Sequence, residues 1–486
     1  MTNRYLRPVA ALLLVILVGC SAPDGEQRPN VVWIIAEDLS QDVGAYGNDA
    51  VNTPNIDRLA REGMKFTHVF TAAPICTPSR TALAAGRHQG SIGAHHMRYP
   101  DSLKPALPQD VQTMNTHFQE NGYVTANIED DPGTGKVDWS FKADQSSQFG
   151  YGHWDALAQQ EKPFFAQISI SDTHRPFPEI DDADIPEAID VPPYYPDHSV
   201  ARRDFARYYK SIERLDEEVG NVLAALERRG MRENTVVFFF SDHGRPMPRG
   251  KSFLYDSGIR IPAIIHIPQE LEASPQYQPG STNDELISAI DFSATSLSMA
   301  GIETPESMHG RVFWGEDQVP EREYIFSAVD RTGESHFQSR AIRGPRYKYI
   351  RNYRNDFSIN EMATAYRRAN HPLYHLLNIL AKQDRLTSAQ SYLVEDLPPE
   401  ELYDLEEDPH ETDNLAGNPN YEDVRDKLRN RLEDHLEEIG DQGLNPDRQQ
   451  IIRVFEEYGR RSYQQRKEKI RESHREVADQ VESNDR

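Results

Sequence analysis

A thiol, a proline suited to a first helical turn and an arginine stand together in Cys76-Thr77-Pro78-Ser79-Arg80. Thr77 suits a helix cap and Pro78 the turn after it. The residue just ahead of such a helix faces unpaired backbone N–H groups and the positive end of the dipole, which favour an anion. An anion bound there would face residue 76, and Arg80, one turn on, would reach it. The chain has only two cysteines, Cys20 and Cys76. A lone thiol in an oxidising compartment has to be used or buried.

Carboxylates and imidazoles recur at three further places: Glu37-Asp38, Asp172-Thr173-His174 and Asp242-His243-Gly244. Each follows a short apolar run, Val31–Ala36, Phe164–Ser171 and Val236–Ser241. Runs rich in Val, Ile and Phe with little polar alternation read as strands buried on both faces of a parallel sheet. Ala263–Ile267 and Tyr123–Ile128 read the same way. Helical patterns at Asn55–Gly63 and Ala201–Arg229 lie between them, the second closed by Gly230. Strands alternating with helices predict a doubly wound α/β domain, which binds ligands outside the carboxyl ends of its strands. Three strands therefore deliver acids or imidazoles to one edge.

Beyond about residue 325 the style changes. Tyr324–Val329, Arg340–Ile342, Tyr347–Arg351 and Glu401–Leu405 read as short strands of a smaller unit. Residues 446–486 are highly charged and read as a solvated helix or frayed end.

The first residues form an export signal: Arg4 and Arg7, then the apolar run Ala10–Val18, then Leu17-Val18-Gly19-Cys20. The run is too short to span a bilayer comfortably. The pattern resembles a bacterial lipoprotein signal, with cleavage before Cys20 and a lipid on its thiol. Cys76 is then left without a disulfide partner. Ser21–Pro29 reads as a polar tether, and Ser21 in place of Asp points to the outer membrane of the cell envelope. The formal net charge of −25 argues against nucleic acid. An anionic substrate would need local basic groups that override this field.

The Cys76–Arg80 core, with Gly86-Arg87 downstream, resembles the formylglycine-dependent sulfatases of the alkaline-phosphatase-like superfamily. Pro29-Asn30-Val31 through Glu37-Asp38-Leu39, Thr53–Leu59 and Ser241–Gly244 extend that resemblance over most of the chain. It implies a mixed sheet sandwiched by helices, with a smaller C-terminal antiparallel sheet and helix. It implies that a formylglycine-generating enzyme oxidises Cys76 to formylglycine (3-oxoalanine). It also implies one divalent cation held by Glu37, Asp38, Asp242, His243 and residue 76. Glu37 departs from the family's commoner Asp. Mostly oxygen ligands favour Ca2+, with Mg2+ second. Arg80, Lys136, His174 and Lys251 take the family's catalytic positions, His174 as proton donor to the leaving oxygen. Asp138, where the family has His, gets no role. His95-His96-Met97-Arg98 resembles a segment of a carbohydrate-directed, sulfamidase-like branch and suggests substrate binding by His95, His96 and Arg98.

The implied organisation is a signal peptide over 1–19, a tether over 20–28, a catalytic domain over 29–325, a C-terminal subdomain over 326–445 and a tail over 446–486. The implied activity is hydrolysis of sulfate esters on a sulfated polysaccharide or its oligosaccharides, with algal glycans such as ulvan and animal glycosaminoglycans both open. An N-sulfoglucosamine sulfohydrolase-like enzyme, a phosphodiesterase or phosphonate hydrolase on the same scaffold, and a catalytically dead glycan-binding lipoprotein are the alternatives. The anchor generates a first test. Labelled lipid is expected on the full-length protein in the membrane fraction, and Cys20→Ala is expected to release it as soluble export. Soluble, unlabelled wild-type protein would refute the anchor.

Overall fold

The structure, a computed structural model, describes residues 28–271, 277–315 and 317–484. The export signal, Cys20 and nearly all of the tether lie outside the described residues.

Among the described residues, twelve strands form two sheets. The larger contains β1 (Asn30–Ala36), β2 (Met64–Phe70), β3 (Val124–Asn127), β4 (Phe164–Ile170), β5 (Thr235–Ser241), β6 (Arg260–His266), β7 (Thr282–Asn283) and β8 (Ile287–Ser288). Its order is β3-β4-β1-β5-β6-β2-β7, with β8 also on β2. The first four strands in that order run parallel, and β6 is antiparallel to both β5 and β2. The sheet is therefore mixed, with a parallel half that carries the three acid-bearing loops. β2 was not among the expected strands. Lys65, Thr67 and His68 interrupt its apolar residues, so it lacks the continuous run that marks the buried strands.

Alternate residues of β1 enter opposite layers. Val32, Ile34 and Ala36 face one apolar cluster, with Ile212, Leu215 and Val219 of the long helix Ser199–Arg228. Val31, Trp33 and Ile35 face the other, with Phe292 and Leu297 of the helix Asp291–Met299. Burial on both faces is why these strands read as unbroken apolar runs. This is the mixed sheet between helices that the sequence implies.

The smaller sheet is antiparallel in the order β12-β11-β10-β9, with β9 (Ile325–Thr332), β10 (Ser335–Arg343), β11 (Tyr347–Asn352) and β12 (Glu400–Asp404). Phe326, Ile342, Tyr349 and Leu402 on one face pack against Leu428 and Leu432 of the helix Glu422–Glu438.

The C-terminal segment corrects the sequence reading. Gln449–Asn484 is a single helix laid along the helices Ala365–Asn370 and Pro372–Lys382. Phe455, Ser462, Val477 and Val481 on it are buried. So few apolar residues among so many charges give no clear periodic stripe, and only a partner surface reveals which turns are covered. Phe455→Ala is expected to lower the urea stability of the whole protein by about 3 kcal/mol, the usual cost of truncating a buried aromatic. An unchanged denaturation midpoint would put the helix back in solvent.

Candidate active site

Strand register assembles the site. Ala36 of β1 pairs with Ser241 of β5 on one side and Ile170 of β4 on the other. The ladder continues one step into the loops: Glu37 N–H donates to Ile170 O and Asp242 N–H to Ala36 O, each at 3.1 Å. Glu37-Asp38 and Asp242-His243 thus leave the sheet side by side. Asp38 turns there with φ 52°, a left-handed conformation that Asp tolerates better than most residues. Gly244 follows His243 because a Cβ would collide with the Ser257 carbonyl oxygen.

The helix Cys76–Ala85 delivers the thiol. It starts two residues earlier than expected, with Ile75 rather than Thr77 at the cap and no side chain capping it. Thr77 is therefore inside the first turn, and its buried hydroxyl has no hydrogen-bond partner. That orphan hydroxyl and the uncapped N–H groups suit an anion at the helix start. Gly86 ends the helix at φ 61°, its N–H reaching the Ala82 and Leu83 carbonyls.

Around the buried Cys76, charges interlock. Its sulfur lies 3.2 Å from His243 Nε2, 3.3 Å from Lys251 Nζ and 3.8 Å from Asp38 Oδ1. Lys251 donates to both Asp38 oxygens, at 2.7 and 2.8 Å. Arg80 Nε donates to Asp242 Oδ2 at 3.0 Å and its Nη1 to Ser169 Oγ at 2.7 Å. Lys136 Nζ is 3.0 Å from Glu37 Oε2 and 3.6 Å from Asp138. His174 donates through Nδ1 to the Arg175 carbonyl at 2.7 Å and clusters with Glu37 and Asp38.

The electrostatics follow from burial against these partners. Burial raises Asp38 and Asp242, but the cations around them outweigh it and hold both carboxylates below the usual range. Burial likewise opposes charge on Lys251, and Asp38 and Cys76 overcome it. Lys251, then Asp38 in the opposite sense, act on His174, with the net effect of lowering it. Burial opposes charge on His243, but Asp242, Cys76 and Asp38 lift it to about 10.

The carboxylates can hold a divalent cation beside His243, and the set is mostly hard oxygen only once an oxygen replaces the Cys76 sulfur. Asp38, Cys76 and His243 each offer a ligand atom within 4.8 Å of the others, and so do Glu37, Asp38 and His174. His243 uses Nδ1 to donate to the Gly244 carbonyl at 2.9 Å, which leaves Nε2 toward the cluster. Glu37 Oε1 is buried without a hydrogen-bond partner, an atom a cation would satisfy.

The structure thus brings Glu37, Asp38, Cys76, Arg80, Lys136, His174, Asp242, His243 and Lys251 together. It does not bring His95 and His96 to a substrate. Both are buried, and His96 Nε2 is 2.7 Å from Asp447 Oδ1, an acid that also binds Arg331. Phe455 packs on the His96 ring. The pair pins its loop beneath the start of the C-terminal helix, and the expectation of sugar binding by these two is corrected accordingly. Arg98 is exposed and lies close enough to Asp138 and Cys76 to feel their charges. Sequence reasoning missed Ser169 and the buried Arg175–Asp204 pair (2.8 and 2.6 Å), which anchors the residue next to His174. Asp204 sits on a helix far along the chain, and no motif announces it.

The sulfatase family model matches residues 29–302, and a model described as N-sulphoglucosamine sulphohydrolase, C-terminal, matches residues 249–397. An ulvan-active sulfatase of Formosa agariphila is 32% identical over 93% of this chain and 84% of its own length. The N-sulphoglucosamine sulphohydrolase of Homo sapiens is 26% identical over 87% of this chain and 92% of its own. The solved structure of a 2-O GAG sulfatase superposes with a TM-score of 0.62 at 21% identity, covering 87% of this chain and 94% of that one.

With Asp242 Oδ1 3.6 Å from His243 Nε2, the expected ligand set predicts that Asp242→Asn lowers divalent-cation affinity, tested with calcium, by about tenfold in calorimetry, since even supporting groups of a metal site carry that much. Unchanged calcium binding would remove Asp242 from the ligand set.

Proposed function

Because the chain belongs to the sulfatase family, we propose that it hydrolyses sulfate esters on a sulfated polysaccharide or its oligosaccharides. Cys76 at the start of an uncapped helix, between Lys251 and His243 and against buried carboxylates, carries this reading. The relatives' substrates support the glycan class: one is ulvan-active, and another is a GAG sulfatase.

As an aldehyde hydrate made by a formylglycine-generating enzyme, residue 76 would supply one hydroxyl to attack sulfur and a second whose deprotonation expels sulfate by carbon–oxygen cleavage. A calcium ion held by Glu37, Asp38, Asp242 and His243 would supply Lewis-acid polarisation of a sulfate oxygen. The chain's own groups do the rest. Arg80, fixed by Asp242 and Ser169, has its remaining Nη2 3.8 Å from Glu37 Oε1 and without a hydrogen bond, so it can donate to the anion. Lys136 and Lys251 face the charge that develops on the transferred group. His174 keeps Nε2 free of the Arg175 carbonyl, and Lys251 weakens its hold on a proton, which suits donation to the leaving oxygen. The thiol-bearing precursor is exported and held at the bacterial cell envelope by a lipid on Cys20.

A second reading has an observation of its own. The match of residues 249–397 to the sulphohydrolase C-terminal model favours a sulfamate as the scissile group. Both readings share the nucleophile.

Co-expression with a formylglycine-generating enzyme is expected to make the Cys76 peptide about 18 Da lighter, the change from thiol to aldehyde. That protein is expected to turn over nitrophenyl sulfate faster than nitrophenyl phosphodiesters, and Cys76→Ala to abolish turnover without unfolding. A faster phosphodiester reaction would transfer the chain to the phosphodiesterase reading, and full activity in Cys76→Ala would end both. A desulfation screen of O-sulfated against N-sulfated oligosaccharides separates ester from sulfamate.

A further inference from the structure

The C-terminal helix Gln449–Asn484 lies beyond both matched family models, yet it borders the mouth of the site. Its contacts run along one face. Phe455 packs on His96 and Tyr99. Tyr458 stands beside Arg98 and against Gly333, at the turn after β9. Arg466 lies over the Tyr366 ring, 5.8 Å from its centroid. Tyr366 in turn is 6.3 Å from the His174 ring and donates its hydroxyl to the Arg175 carbonyl at 2.7 Å. The helix is thus one residue layer away from the proton donor.

The chain carries 78 acidic residues against 53 Lys and Arg. Among the described residues, however, Arg466 donates only to Ser462 and to Gln465, at 3.2 to 3.4 Å, and none of these acceptors is a carboxylate. Arg98 also has no ion pair among the described residues, and it is held exposed at φ 60°. Tyr458 is 40% exposed although it is large and partly apolar. Two arginine forks without an ion pair among the described residues, set beside two tyrosines at the mouth of a sulfate-binding pocket, are what a second anion on a sugar would require. Tyrosine faces offer apolar area and a hydroxyl to the ring that carries it.

We propose that the C-terminal helix forms the wall of a second subsite, in which Arg466 and Arg98, flanked by Tyr366 and Tyr458, hold a carboxylate or a further sulfate on the sugar next to the scissile sulfate. The inference rests on the sulfated-glycan reading above and names what that glycan carries. It also accounts for how a strongly acidic protein takes a polyanion: the overall field repels it, and a few unneutralised cations at the mouth decide where it docks. The residues act on binding and orientation, not on the sulfur.

The test uses the full chain with residue 76 converted, and compares Arg466→Gln and Arg466→Lys with the wild type. Four probes are needed: nitrophenyl sulfate, a sulfated disaccharide with a neighbouring uronate, the same disaccharide with the carboxylate reduced, and one with a second sulfate in its place. Arg466→Gln is expected to lower kcat/KM on the uronate or the disulfated probe by about ten- to a hundredfold, mainly through KM, the range of one charge-assisted hydrogen bond. The loss on nitrophenyl sulfate and on the reduced probe is expected to be far smaller, and Arg466→Lys to recover part of the activity. Whichever anionic probe shows the loss identifies the anion. Equal losses on all probes, or none on either anionic probe, would overturn the subsite. Calorimetry of the same disaccharides on Cys76→Ala, with and without Arg466→Gln, reads binding with no turnover. A wild type that cleaves no sulfate ester therefore ends the sulfatase reading while the subsite is still decided by affinity.

Discussion

The site depends on one constraint: three carboxylates are buried within reach of each other, and each must be neutralised where it stands. Glu37, Asp38 and Asp242 leave adjacent parallel strands at one level, because Ala36 and Ser241 are paired in register. Unpaired, such charges would cost several kcal/mol each. Lys136, Lys251 and Arg80 answer them one to one, and the ring of His243 completes the set. Every cation that balances an acid is also a group aimed at the place where an anion enters. The balance that permits burial and the field that receives sulfate are the same arrangement.

The surrounding architecture serves that balance. The buried helix Cys76–Ala85 is held by its own apolar face and by Ser79, which donates to the Asp242 carbonyl at 2.6 Å. Arg175, paired with Asp204 and capped by Tyr366, fixes the backbone beside His174. Ser252, next to Lys251, meets Thr332 at the end of β9 and Arg367. The small sheet therefore touches the lysine loop directly. One apolar cluster runs from β1 through Val329 and Leu376 to Val481, so the C-terminal portion shares its core with the large sheet.

In the subsite we propose, the C-terminal helix adds specificity without disturbing the chemistry. It meets the site from outside, across Tyr366 and Arg98, and leaves the carboxylates and cations around Cys76 untouched. His95 and His96 belong to this outer layer as well. Burial lowers both, and His96 serves as a strut to Asp447, which in turn holds Arg331. A histidine pair that resembles a sugar-binding segment is, in this fold, part of the seat on which the C-terminal helix rests.

Much of this was legible in the sequence. Apolar runs that end in acids announced β1, β4 and β5, because burial on both faces leaves no polar alternation. The Cys76–Arg80 segment announced the helix Cys76–Ala85, because its proline suits a first helical turn. Local chemistry of this kind is written in consecutive residues. Tertiary structure decided the rest. β2 stayed hidden because its burial is one-sided and interrupted. The helix Gln449–Asn484 passed for a solvated tail because which of its faces is covered depends on helices a hundred residues earlier. His95, His96 and Arg98 are neighbours in sequence, yet the first two turn inward and the third outward, and only the position of Asp447 and Phe455 determines which. Pairing between distant groups, such as Arg175 with Asp204 or Arg466 with Tyr366, leaves no trace in spacing, since the contact exists only once the chain has closed on itself.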